Sequence, residues 1–95
     1  MEIENVEYYI FGSYLRTSNF KDIDVLIVVP ELCVLDLANE FLSLLKEENI
    51  SSIVHTHLYL KSEYLNPQNK FSYKNVNHQI SFDDFIALFK IERFI

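Results

Sequence analysis

Two carboxylates one residue apart, Asp22 and Asp24, open the most apolar stretch of the chain. The lone glycine lies upstream of them, in Phe11-Gly12-Ser13. On a strand, residues i and i+2 point to the same side, so the two acids share a face. Carboxylates on one face can hold a divalent cation through their oxygens. A Gly-Ser turn at the end of an apolar strand lets the backbone approach a phosphate closely. Phosphate-binding backbone beside a two-carboxylate edge is what metal-assisted phosphoryl chemistry requires. Taken alone, two acids at this spacing are most often no more than solvated side chains at a strand start. The apolar strand they open, and the strand-Gly-Ser turn before them, favour chemistry.

The other residues able to do chemistry are few. His55 and His57 are also at i and i+2, so they share a face of whichever strand carries them. As a transition-metal pair they need further nitrogen or sulfur ligands, and Cys33 lies on another element. His78 falls in a polar stretch and reads as a surface residue. Cys33 is the single cysteine, which excludes an intrachain disulfide and suits a reducing, intracellular setting. It reads as a small buried apolar side chain.

The elements that must position these groups follow from the pattern. Val6 to Phe11 is β-branched and aromatic and reads as a strand ended by Gly12. Tyr14 to Lys21 reads as a loop with a helical turn. Asp22 to Val29 reads as a second strand. Its tail Val25-Leu26-Ile27-Val28-Val29 is apolar on both faces, which places it inside a sheet covered on both sides. Pro30 closes it. Glu31 to Glu48 reads as a helix: Leu35, Ala38, Leu42 and Leu45 recur at helical spacing, with Leu37, Phe41 and Leu44 widening the stripe, and Asn49 as the stop. Ser52 to Leu60 reads as a third strand, and Asn66 to Gln79 as a loop. A last helix starts at Ser81, which with Asp84 forms a capping box; Phe82, Phe85, Ile86 and Phe89 give it an apolar stripe. The order β-β-α-β-α predicts an α+β domain, a small mixed β-sheet with helices packed on it.

The two separated parts of the motif and their flanking strands carry a resemblance. Tyr9-Ile-Phe-Gly-Ser-Tyr-Leu-Arg-Thr, followed by Lys21-Asp-Ile-Asp-Val-Leu-Ile-Val-Val, resembles the signature of DNA polymerase beta-like nucleotidyltransferases. It resembles above all the minimal nucleotidyltransferase domains of prokaryotes, the MNT antitoxin type. The likeness covers Tyr8 to Val29. It implies that Gly12 and Ser13 contact a triphosphate, that Arg16 touches phosphate from the loop, and that Asp22 and Asp24 ligate Mg2+ or Mn2+. The substrate it implies is ATP or another nucleoside triphosphate. The transfer it implies is of AMP to a hydroxyl on a protein or small molecule, with a HEPN-type toxin or a second copy as partner.

Two departures stand beside it. Active members carry a third carboxylate on the next core strand, whereas Ser51 to Leu60 holds no acid. The equivalent position falls at His57, or at Thr56 one residue earlier, while Glu63 lies too far along. Members also carry a helix before the first strand, where only Met1 to Asn5 stand here, so that apolar surface is left for a partner or a second copy to cover.

Composition narrows the classes further. A chain of 95 residues forms one domain, residues 1–95, burying roughly 60–65% of its unfolded surface. A net charge of −6 without any basic run argues against generic nucleic-acid binding. It also makes a bridging cation necessary if the ligand is a triphosphate. The acidic N-terminus lacks the features of a signal peptide. The run Val25 to Val29 is far too short to span a bilayer, and a cytoplasmic location is expected. Three readings follow: a nucleotidyltransferase, possessing weak activity for want of the third acid; a catalytically degenerate relative that binds a partner as an antitoxin module; and an α/β domain whose motif is accidental.

Overall fold

The computed structural model describes residues 5–12, 22–48 and 53–89. Its elements in chain order are strand β1 (Glu7–Phe11), strand β2 (Ile23–Val29), helix α1 (Leu32–Glu48), strand β3 (Val54–Leu60), the one-turn helix α2 (Lys61–Tyr64), strand β4 (His78–Ile80) and helix α3 (Phe82–Leu88). The strands form a mixed sheet in the order β3-β2-β1-β4. The fold is α+β, as the sequence pattern predicts.

β2 lies inside the sheet. β1 pairs with it antiparallel, Phe11 opposite Asp24 and Tyr9 opposite Leu26. β3 pairs with it parallel on the other side, His55 opposite Asp24 and His57 opposite Leu26. The crossover between the parallel strands is α1, the connection such a pair requires. Alternation then sorts the side chains. Ile23, Val25, Ile27 and Val29 join Tyr8 and Ile10 of β1 in the main core, under Ala38, Leu42 and Leu45 of α1 and Phe85 and Leu88 of α3. Leu26 and Val28 join Tyr9 on the opposite face, with Tyr64 and Val76 over them. Every residue from Val25 to Val29 is 2% exposed or less, which is why the run is apolar at each position. Each such side chain contributes about 1.5–3 kcal/mol by leaving water.

The helices start where local chemistry allows. Pro30 cannot continue the ladder. The Glu31 carbonyl then accepts from the N–H groups of Val34 and Leu35, at 3.1 and 3.2 Å. Of the expected capping box at α3, one half forms: Ser81 Oγ accepts from the Asp84 N–H at 3.1 Å. Asn49, the expected stop of α1, lies outside the described residues.

Four expectations are corrected. The segment Asn66 to Gln79 is not all loop: His78 and Gln79, with Ile80, form β4 and pair with Ile10, Tyr9 and Tyr8. That pairing satisfies backbone groups along the outer side of β1, so His78 is an exposed strand residue rather than a loop residue. α2 has no counterpart in the sequence reading. It is nucleated by Glu63, whose carboxylate accepts from the Leu60 N–H at 2.9 Å, and anchored by buried Tyr64, whose hydroxyl donates to the Val76 carbonyl at 2.7 Å. Cys33 is exposed, not buried. Leu37 and Leu44, expected to widen the buried stripe of α1, are also exposed, at 44% and 61%. At 3.6 residues per turn, Leu37 sits about 100° round the helix from buried Ala38, and Cys33 and Leu44 share its side. The apolar Phe stripe of α3 does face the core, with Phe85 fully buried and stacked on Tyr8 at 4.5 Å. Among the described residues, no helix is long and apolar enough to cross a membrane.

Candidate functional site

The acids emerge where β2 begins. Asp22 is the residue before the strand and Asp24 its second. Because Ile23 and Val25 are committed to the core beneath the helices, both carboxylates project from the opposite face. The same constraint acts on β3. Leu58 and Leu60 pack toward the helices and Tyr59 toward the other side. His55 and His57 therefore share the acids' face and Thr56 does not.

The result is two carboxylate–imidazole pairs side by side. His55 Nε2 lies 3.5 Å from Asp22 Oδ1, and His57 Nε2 lies 3.9 Å from Asp24 Oδ1. Side-chain exposure grades inward, from 59% for His55 and 44% for Asp22 to 39% for His57 and 29% for Asp24. At these separations a protonated imidazole forms an ion pair with its carboxylate, and solvent access keeps the contribution within about 1 kcal/mol.

Gly12 meets the second of the acids directly. Gly12 has φ +84°, the left-handed region that favours glycine. A Cβ placed on it would stand 2.7 Å from Asp24 Oδ2. The Gly12 backbone thus abuts the Asp24 carboxylate with no room between them, and the register that sets Phe11 opposite Asp24 produces this contact. Ser13 and Arg16, the other expected phosphate contacts, lie outside the described residues.

Aromatic rings hold the inner pair in place. His57 packs against Phe11, with ring centroids 5.7 Å apart, and against Phe71 at 4.9 Å; Phe11 and Phe71 are 4.8 Å from each other. Period two along β1 puts Phe11 on the acids' face and so carries part of this in the sequence. Phe71 sits in a turn-rich segment with no periodicity, and nothing local marks it as a neighbour of His57. That segment is fixed by its own amides: the Asn69 side chain donates to the Glu63 carbonyl at 2.8 Å and Asn75 to the Lys70 carbonyl at 3.0 Å.

Farther along the same face, Lys61 Nζ donates to Glu7 Oε1 at 2.7 Å. This pair borders a hollow of about 290 Å3 between Val6, Val28 and Pro30, at the other end of β2 from the acids. Between the two ends lies Tyr9, buried against Tyr64 at 4.9 Å. Burial first, then the hydrogen bond with Tyr64 and the charge of Glu7, push the Tyr9 hydroxyl well above the ordinary tyrosine range.

The donor set bears on which cation the acids suit. Two carboxylates fit Mg2+, a hard ion that takes oxygen ligands. Imidazole nitrogens beside both of them do not. Among the described residues, no three His, Cys, Asp or Glu side chains converge as a closed metal site would. The arrangement is open, with one oxygen and one nitrogen from each pair. No protein-family model, curated protein or solved structure matches the chain.

Proposed function

We propose that this chain is a nucleotidyltransferase-like domain that takes a nucleoside triphosphate at the Gly12 turn and a divalent cation at Asp22 and Asp24. The observation that carries the reading is the contact between Gly12 and Asp24, which joins the phosphate-approach turn and the acid pair into one locus. In the reaction, an acceptor hydroxyl attacks the α-phosphorus of ATP. A new P–O bond forms, the bond from the α-phosphorus to the bridging oxygen breaks, pyrophosphate leaves, and the hydroxyl proton passes to water. A bound cation supplies charge neutralisation on the phosphate oxygens. The missing side chain at Gly12 lets the backbone that leads to the phosphate lie directly against the Asp24 carboxylate, and Asp22 and Asp24 contribute oxygen donors on one face. In this reading His57 stands in for a third carboxylate, and the loss of one negative charge makes the chemistry slower than that of a three-acid site.

A second reading is favoured by one observation. His57 is packed between Phe11 and Phe71, the surroundings of a structural side chain more than of a reacting one. In this reading the domain keeps the fold and acts by binding a protein partner, as an antitoxin of the minimal nucleotidyltransferase type would. Incubation with α-labelled ATP, Mg2+ or Mn2+, and a lysate separates the two. Covalent label on an acceptor, abolished by Asp22→Asn and by Asp24→Asn, supports transfer. A stable partner complex without label, unaffected by either change, supports the binding module.

A further inference from the structure

The two Asp–His pairs do more than replace a missing acid. Each sets one carboxylate oxygen and one imidazole nitrogen 3.5 to 3.9 Å apart, the histidines on β3 and the acids on, or one residue before, the parallel strand β2. Two ligands of one metal ion, each about 2.0–2.2 Å from it, stand roughly 3–4 Å from each other. The pairs are therefore spaced to chelate with little movement. All four side chains are partly exposed, so an ion can reach them, and the remaining coordination positions stay open to water or phosphate oxygens.

We infer that these pairs are two half-sites for first-row transition-metal dications, Mn2+, Co2+ or Zn2+, in preference to Mg2+. The reason is chemical. Mg2+ gives up its water reluctantly and favours oxygen, so an imidazole offered in place of a carboxylate costs it both charge and donor type. Imidazole suits the later first-row ions such as Co2+ and Zn2+, and Mn2+, the weakest binder of that series, still accepts a nitrogen ligand more readily than Mg2+ does. The strands supply the preorganisation: β2 is buried on both faces and cannot shift without losing core contacts, and Phe11 and Phe71 fix the His57 ring. The assignment deepens the proposed nucleotide site by naming its cation, but metal binding itself requires no nucleotide.

The test uses the intact chain and the metals alone. MnCl2 is titrated into the protein while the free Mn2+ electron paramagnetic resonance signal is followed, and pulsed spectra of the bound ion are recorded for nitrogen coupling. The expected result is loss of the free signal, clear 14N coupling from imidazole, and retention of Mn2+ against about a tenfold excess of MgCl2. His55→Asp and His57→Asp, both at exposed or half-exposed positions, should each weaken the nitrogen coupling and lower the Mn2+-over-Mg2+ preference by about tenfold. Circular dichroism checks that both variants are folded. The inference is overturned if no Mn2+ binds, if bound Mn2+ shows no nitrogen coupling in the unsubstituted protein, or if equimolar Mg2+ displaces it. A parallel titration with a nonhydrolysable ATP analogue keeps the two claims apart. Nitrogen-coupled Mn2+ without nucleotide binding upholds the metal site and sinks the nucleotidyltransferase reading. Mg2+-dependent nucleotide binding that is indifferent to both histidines does the reverse.

Discussion

The contact between Gly12 and Asp24 makes a prediction that can be worked from the coordinates. Gly12→Ala places a methyl carbon 2.7 Å from Asp24 Oδ2 and 3.6 Å from its Cγ. The first distance lies well inside van der Waals contact, and the neighbour in the way is a carboxylate, not backbone. Two costs separate. Holding alanine at φ +84° costs about 1–2 kcal/mol, since its Cβ crowds the following carbonyl. Relieving the overlap requires the Asp24 carboxylate, 29% exposed, to swing away or sit off its rotamer, for about 0.5–1.5 kcal/mol more. In an Asp24→Ala background the second cost disappears and the first remains. A double-mutant cycle in urea should therefore show Gly12→Ala destabilising the parent by about 2–3 kcal/mol and the Asp24→Ala protein by about 1 kcal/mol less. In a domain of this size, each kcal/mol corresponds to about 4–8 °C in Tm. Equal costs in the two backgrounds would mean that turn and acid do not touch, and the joint phosphate-and-cation site would fall with that contact.

Two further outcomes bear on the scaffold. Tyr9 is held neutral by burial and by its contacts with Tyr64 and Glu7. Its folded-state pKa exceeds the unfolded value of about 10, so its contribution is complete below pH 10 and is lost as pH rises above that. Chemical denaturation from pH 8 to 11.5 should show stability falling on the alkaline side, with a shallower fall in Tyr9→Phe; identical slopes would show that Tyr9 is not the group responsible. Phe85→Ala empties a fully buried position stacked on Tyr8 and edge-on to Phe89. It should cost about 3–5 kcal/mol, enough to leave a domain this small largely unfolded by circular dichroism at 37 °C, and a loss below about 1 kcal/mol would refute the packing described.

What the sequence makes legible is what period alone decides. The run Val25 to Val29 can only be an interior strand, and Asp22, Asp24, His55 and His57 could be assigned to shared faces before any coordinates, because alternation leaves a side chain no other choice. Which of His57 and Thr56 shares the acids' face was not legible. It rests on Leu58 and Leu60 being drawn to the helices, which is a tertiary fact. β4 is three residues long and carries no alternating apolar pattern; it exists because β1 offers it an edge. α2 is a single turn, too short for a period to show. Leu37 and Leu44 lie off the buried stripe because their angle from Ala38, Leu42 and Leu45 carries them to its margin, and Cys33 sits on that same exposed side although its residue type favours burial.

The position of β3 has a consequence for solubility. Among the described residues no strand lies beyond it in the sheet, so β3, Val54 to Leu60, is a sheet margin of the kind that other extended chains tend to join. The sequence there, Val-His-Thr-His-Leu-Tyr-Leu, is otherwise β-prone, free of proline and free of formal charge. The two imidazoles are thus also the polar interruptions that blunt self-association along that margin. Replacing them with valine would remove those interruptions and favour association along the margin.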